Sequence, residues 1–526
     1  MRDKPDNGGA PSRLTTTLIY GLLTAIALVP ILSVRVPCLG DYLNHLARIH
    51  ILTNVGQSAD LQRFYLRQWQ PVPYYGMDIP VASLSHFINI YTAGRAFIAL
   101  CVLMPVIAAA TLRYALHGRV GLTPALAFLV TYNYVLALGF LNYLFSACLA
   151  VMLFALWVAT AQWRRVWRMA LFAPLAVILY LSHVLGFAAY AILVFGYELA
   201  RAWRIRPWRI ATIAVDFGVA ASQALLPAAL AFFLRADATF GTAKVTRYGT
   251  LADRIGALLS PIYFPGDGAG VVGAFVLVPL LVLWLVRPVR VASAAWPAAL
   301  AVLLAACAVP HMLLNIWGTD MRLPLVAAIV LAGAVAPGRP LSRAAGAACL
   351  GCVLALLTVR VWDATVLLRG LDGQVAQMRD LMTQLPRGSR LLVVDGPEDA
   401  AGRLAPRAII EHMSLVATID RDAFVPLLFT GTTPLQVVPA MRNSASQAVG
   451  ELTLAQLAEG FAHPAPAGAL PAYRDGAQMF WLGWPAKFDN VLVTHFGSDP
   501  GKLPPNLRRV AGNDVATLYR IAAPDR

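Results

Sequence analysis

Eleven apolar runs constrain this chain more than any other feature. They fall at about 14–34, 94–116, 122–138, 140–162, 169–186, 188–201, 211–234, 269–286, 294–310, 323–337 and 344–362. A helix of about 20 apolar residues crosses the hydrocarbon of a bilayer, and a water-soluble core has no room for so many. Of 526 residues, 13% are charged and 59% hydrophobic, where a soluble domain carries about 25% charged residues. The sequence therefore predicts a mainly α, polytopic membrane protein with about 11 transmembrane helices over residues 1–362. The first run is read as a retained helix and not a cleaved signal, because no small-residue cleavage pattern follows it; Pro37-Cys38-Leu39-Gly40 is a poor substitute.

The formal charge of +15 raises the question of nucleic acid. The placement of the basic residues argues against it. They gather in short alternate loops: Arg113 and Arg119; Arg164, Arg165 and Arg168; Arg201, Arg204, Arg206 and Arg209; Arg287 and Arg290; Arg339 and Arg343. The amino-terminal segment adds Arg2, Lys4 and Arg13. With eleven spans all of these lie on one side, the side that the positive-inside rule makes cytoplasmic. The expected topology has a cytoplasmic N-terminus and an extracytoplasmic C-terminus. The six cysteines, five of them in apolar runs, predict no disulfide framework, and the CxxC spacing of Cys349 and Cys352 is read as helix packing.

Two external parts are large. The first external loop, 35–93, contains Trp69-Gln70-Pro71-Val72-Pro73-Tyr74-Tyr75 and is expected to hold helices lying on the membrane near 44–56 and 81–91. A second external loop at about 235–268 carries Lys244, Arg247, Asp253 and Arg254. After residue 363 charges rise and long apolar runs cease. Leu391-Leu392-Val393-Val394-Asp395, Val491 through Phe496 and Val515 through Arg520 read as strands, and 372–385 and 453–460 as helices. Residues 363–526 are thus expected to form a C-terminal extracytoplasmic α/β domain.

Polar residues collect at the outer ends of the spans: Asp41, Asn44 and His45 after the first, Asn142 and Tyr143 between the third and fourth, His183 at the fifth, and His311, Asn315, Asp320 and Arg322 between the ninth and tenth. Ionisable groups at membrane depth cost about 2.5–3.5 kcal/mol on insertion scales unless satisfied, so their gathering points to one outer-leaflet cavity. Each also has a plain reading. Asp41 would cap the next helix, and His183 would bond a carbonyl in the core. Asp320 and Arg322 would form an interfacial ion pair, and Asn142-Tyr143 a hairpin turn. Glu198 with Arg201, and Asp216 near Arg209, read as interface charges. P-loop, HExxH and GxSxG motifs are absent, and no GxGxxG follows a strand; the Gly-rich Gly266-Asp267-Gly268-Ala269-Gly270 follows Pro265 and precedes an apolar run, so it reads as a loop. Glu411-His412 stands without further metal ligands nearby in sequence.

The strings Asp41-Tyr42-Leu43-Asn44-His45-Leu46-Ala47-Arg48, Gly139-Phe140-Leu141-Asn142-Tyr143-Leu144-Phe145 and Asp320-Met321-Arg322-Leu323-Pro324 resemble a bacterial branch of the GT-C superfamily of membrane glycosyltransferases. An acid just after the first span, an odd span count and an external C-terminal domain are similar too. The resemblance covers about residues 10–362. It implies inverting transfer of a sugar from a polyprenyl-phosphate carrier to an envelope glycan, lipid or protein acceptor, on the extracytoplasmic side of a bacterial inner membrane. Asp41 would be the base, with His45 or His183 orienting the acid or acceptor. Arg48, Arg254 and Arg322 would face the leaving phosphate, and Asn44, Tyr143, His311 and Asp320 would line the site. Many relatives carry two adjacent acids in the first loop, whereas here Tyr42 follows Asp41. A second external acidic motif is also missing, so the expectation is that no cofactor or metal is needed. The alternatives are a non-catalytic lipid-binding scaffold of envelope polysaccharide assembly, and a transporter or flippase.

Overall fold

The computed structural model describes residues 12–522 apart from 69, 205–208, 234–244, 287, 340, 398–399, 431–433, 447–449, 467–469 and 474–476. Of the residues singled out above, Arg2, Lys4, Trp69, Arg206, Lys244 and Arg287 lie outside the described residues. Among the described residues six helices are long and apolar enough to cross a membrane. They are α1 (Arg13–Leu32), α4 (Ile90–His117), α5 (Leu141–Ala159), α6 (Arg165–Ser182), α7 (Val184–Trp203) and α14 (Arg343–Met382), with α2 (Tyr42–Asn54) and α3 (Tyr75–Ser85) between the first two. The apolar pair α8 (Ile210–Ser222) and α9 (Leu225–Phe233), which meet at 44°, makes a seventh if the two count as one span. The chain is a multi-pass membrane protein. Two shorter apolar helices, α11 (Ala269–Leu285) and α12 (Trp296–Ala308), follow α10 (Leu251–Leu259), and α13 (Thr319–Ala334), with Asp320 and Arg322 in its first turns, comes after them. The outward faces are apolar, as lipid requires: Leu14, Leu18 and Leu22 on α1 and Leu277, Leu280 and Trp284 on α11 are all exposed.

The run at 122–138 departs from its expected form. It is a 3-10 stretch over Thr123–Val130 and one short helical turn over Tyr134–Ala137. Pro124 opens the stretch, and the Asn133 side chain accepts from the Leu136 N–H while donating to the Val130 carbonyl. The segment still travels the length of α1. The Tyr20 hydroxyl donates to the Gly121 carbonyl, the Tyr132 hydroxyl to the Ala27 carbonyl, and the Leu138 carbonyl accepts from the Asp41 N–H. Irregular backbone is tolerated at membrane depth only when protein covers it, and residues 124–139 are nearly all buried.

The first loop is packed under the C-terminal region. Ten of the thirteen residues of α2 are buried, because the C-terminal region sits on it. In that region β2 (Leu391–Asp395), β4 (Leu452–Thr453), β5 (Asn490–Thr494), β6 (Leu507–Gly512) and β7 (Ala516–Ile521) form one sheet in the order β6-β7-β5-β2-β4. The β2 pairings to β4 and β5 are parallel, with Leu392 opposite Val491, and the other two pairings are antiparallel. Both central strands are buried throughout, which explains their unbroken apolar spelling. The last apolar run and the helical stretch at 372–385 join as the single 40-residue α14. Contacts then stitch loop to sheet. β1 (Tyr65–Arg67) pairs with β3 (Leu435–Val437), His50 meets Asp422 at 2.9 Å, and the Tyr91 hydroxyl donates to Asp420 at 3.0 Å. All six cysteines are free.

Candidate functional site

Two glycines set Asp41. Gly139 has φ +70°, and a Cβ there would lie 2.6 Å from the Asp41 nitrogen; one on Gly40 would lie 2.2 Å from the Leu138 carbonyl oxygen. Only glycine allows the two backbones to approach so closely, and the Asp41 N–H then donates to the Leu138 carbonyl at 2.9 Å. Asp41 occupies the cap position of α2, yet its side chain makes no capping bond. The carboxylate is 24% exposed. Among the described residues no arginine or lysine lies within ion-pair distance of it; its partner is the Nε2 of His412 at 3.4 Å.

Cations and imidazoles surround this turn. Arg322, on the first turns of α13, is buried and lies 3.9 Å over the Phe140 ring. Its Nη2 donates to the Trp317 carbonyl, its Nε has no partner, and no described carboxylate pairs with it. The charge of Asp41 acts on this guanidinium. The Tyr143 hydroxyl fixes the local backbone by donating to the Arg322 carbonyl at 2.7 Å. His45 is buried with Nδ1 unpartnered. Burial, reinforced by the nearby guanidiniums of Arg48 and Arg322 and the imidazoles of His412 and His183, holds its pKa well below the ordinary value, which favours the neutral imidazole.

His183 does not bond a carbonyl in the core. It joins α6 to α7, and its Nδ1 accepts from the Leu185 N–H at 3.1 Å as a helix cap. The rings of Tyr74 and Tyr143 stand edge-on to it at 5.1 and 5.5 Å. Tyr74 itself holds φ 100°, a strained value for a residue with a Cβ. Asn142 is more than a turn: its Oδ1 accepts from the Met77 N–H at 2.5 Å, and its Nδ2 is buried without a partner.

Other expected residues are already engaged. Arg48 makes a two-pronged pair with Asp78 at 3.1 and 2.6 Å, both side chains buried. Burial raises the Asp78 pKa and Arg48 opposes the rise. Asp320 is fully buried and holds Arg254 at 3.2 Å and His311 at 3.0 Å. The expected Asp320–Arg322 pair does not form, because residues two apart on a helix face different ways. Arg254 also donates to the carbonyls of Ala306 and Val309. Asn315 turns to the second loop, accepting from the Val245 N–H. At the far end Glu198 pairs with Arg201 at 3.1 Å, whereas Asp216 takes Arg165 and Arg201, not Arg209.

The structure thus brings Asp41, Asn44, His45, His183, Tyr143 and Arg322 around one turn. It seals Arg254, His311 and Asp320 into a neighbouring cluster, and adds Asp78, Tyr74, Phe140 and His412. Among the described residues no group of three or more His, Cys, Asp or Glu is placed to hold a metal ion.

Three solved structures are similar to this chain. Arabinofuranosyltransferase AftD from Mycobacteria shares 15% identity at a TM-score of 0.47, over 98% of this chain and 40% of that one. ArnT from Cupriavidus metallidurans in the apo state shares 13% at 0.47, over 97% and 100%. ArnT bound to undecaprenyl phosphate shares 12% at 0.45, over 98% and 100%. This chain therefore spans well under half the length of AftD. No protein-family model and no curated protein matches the chain.

Proposed function

We propose that this chain is a membrane glycosyltransferase that moves a sugar from a polyprenyl-phosphate carrier to an envelope glycan, lipid or protein acceptor, with inversion. The chain would cross a bacterial inner membrane eleven times, the 3-10 segment included. Its N-terminus would be cytoplasmic and its sheet region outside. The observation that carries this reading is the pairing of opposites at one turn: a carboxylate with an open side, and a buried guanidinium with no acidic partner among the described residues. The carboxylate of Asp41 takes the acceptor hydroxyl's proton as that oxygen bonds to the anomeric carbon. The bond from that carbon to the carrier phosphate breaks, and the phosphate keeps the electron pair. Arg322, held flat against Phe140, faces the charge that develops there. Neutral His45 and His183 supply hydrogen bonds without adding charge.

The test is sugar transfer by purified protein from a panel of polyprenyl-phosphate sugars, with Asp41→Asn alongside and with and without a chelator. Release of carrier phosphate that depends on Asp41 supports the reading, and the chelator arm decides the metal. Carrier binding without release in wild type and variant alike overturns it and makes the chain a lipid-binding component of envelope assembly.

A further inference from the structure

His412 lies some 370 residues from Asp41 in sequence, yet their side chains meet. The short helix Arg407–Ile410 runs against the turn: a Cβ on Gly40 would lie 2.9 Å from the Ala408 carbonyl oxygen, and the Cys38 thiol reaches the Ile409 carbonyl. Asn44 locks the register. Its Oδ1 accepts from the Phe429 N–H and its Nδ2 donates to the Leu427 carbonyl, both at 2.8 Å. Those two bonds leave no choice of amide orientation. The atom facing the His412 Nδ1 at 3.3 Å is therefore the donor Nδ2, and Nδ1 must be the acceptor. A neutral His412 then carries its proton on Nε2, the ring atom that lies 3.4 Å from Asp41 Oδ1 and 3.6 Å from Glu411 Oε1. Phe429 packs edge-on against both His412 and His45, at 5.3 and 5.8 Å.

We infer that His412 is a positioning residue for Asp41: the sheet region delivers an N–H to one carboxylate oxygen and leaves the other oxygen for the acceptor. The inference rests on Asp41 being the base. At 3.4 Å the contact is longer than a formed hydrogen bond, and such bonds tighten when substrate is bound. Among the described residues, His412 meets Asp41, Glu411 lies beside His412, the charge of Asp41 acts on Arg322 from α13, and His45 and His183 are the titratable groups next to these. Arg48 is neutralised by Asp78. Asn44, reaching from α2 to His412, makes the tautomer conditional on docking: without Leu427 and Phe429 in place, its amide is free to turn.

Two measurements test this on the full chain. Nitrogen-15 NMR of histidine-labelled protein reads the tautomer directly; the chain has nine histidines, and His412→Gln identifies the signal. The expected result is an Nε2–H imidazole whose signals move in Asp41→Asn. An Nδ1–H imidazole, or signals indifferent to Asp41→Asn, overturns the inference whether or not any sugar is turned over. The second measurement is kinetic. His412→Ala should lower kcat by roughly tenfold or more with little change in donor KM. It should also move the acid limb of the pH–rate profile upward, because a carboxylate that loses a donor is easier to protonate. His412→Gln, which keeps an N–H, should recover much of both. A wild-type kcat and an unmoved limb in His412→Ala overturn the inference. If wild type transfers no sugar from any donor, the glycosyltransferase reading fails and takes the kinetic role of His412 with it, while the NMR still decides whether the pair exists.

Discussion

Asp41 and Asp320 are neighbours through a chain of rings. His311 touches Trp317 at 5.4 Å, Trp317 meets Phe140 at 6.2 Å, and Arg322 lies on Phe140. Both are acids at the first turn of a helix, and both have a histidine beside them. They differ in what is left over. Asp320 is fully buried and spends its oxygens on Arg254, His311 and the Met321 N–H. Asp41 keeps an exposed face and a single loose contact. A carboxylate whose lone pairs are all taken holds structure together, and one held by its backbone alone is available for chemistry. Residue type and position along a span do not separate the two; partner geometry does.

The sharpest way to break this contrast is to neutralise each acid. Asp41→Asn should cost about 10²–10⁴-fold in transfer with an unchanged thermal midpoint, since its side chain caps nothing. Asp320→Ala should do the reverse, lowering stability by about 3 kcal/mol because Arg254 loses its partner at a buried site, with transfer by the folded fraction retained. Thermal unfolding in detergent beside the transfer assay decides it, and an Asp41→Asn that melts early would erase the distinction. Next in size is the cation. Arg322→Ala should weaken donor use by about 10–100-fold, the worth of a charge-assisted hydrogen bond of about 1.5–3 kcal/mol. Lysine should restore little, because it has no planar group to lie on Phe140. Arg254→Ala should leave donor KM alone.

Gly139→Ala probes the backbone that sets Asp41. The left-handed φ costs about 1–2 kcal/mol for a residue with a Cβ, and the new atom pushes on the Asp41 nitrogen. The expected signature is a lower kcat at little-changed KM. The smallest effect is acid sensitivity of docking. The hydrogen bonds of His50 and Arg387 outweigh burial and hold Asp422 down to about 2 from an ordinary 3.8. A depressed acid contributes stability above its unfolded value and loses it as pH falls through the folded one, so this contribution fades between about pH 4 and about pH 2. Hydrogen exchange at residues 50–58 across that window should show the loss, and Asp422→Asn should abolish the pH dependence.

Much of this was legible in the chain. The apolar runs mark the membrane helices because lipid-facing positions tolerate only apolar side chains. Asp41, His45, His183 and Arg322 stood out because ionisable groups at span ends are costly. The run at 122–138 reads the same as a helix or as covered 3-10 backbone, since hydropathy does not report hydrogen-bond pattern. Asp78 is hidden because the sequence around it reads as loop, whereas it lies in the first turn of α3. His412 was missed because its role exists only after residues 407–429 dock on α2. An Asp320–Arg322 ion pair, the plain reading of those two residues, is excluded by spacing alone, since residues two apart on a helix do not share a face.

The 3-10 segment beside α1 bears on how the molecule is made. A stretch with so many backbone groups outside α-helical bonding has no stable stay in lipid alone, so it is a poor candidate for insertion by itself. It packs against α1 and α4, already synthesised, and also against α13 and α14, which emerge from the ribosome some 200 residues later. The turn that carries Asp41 is anchored to the end of this segment. The site is therefore assembled last although its central residue is among the first translated, and a chain interrupted before α13 would hold Asp41 on a loop still waiting for its wall.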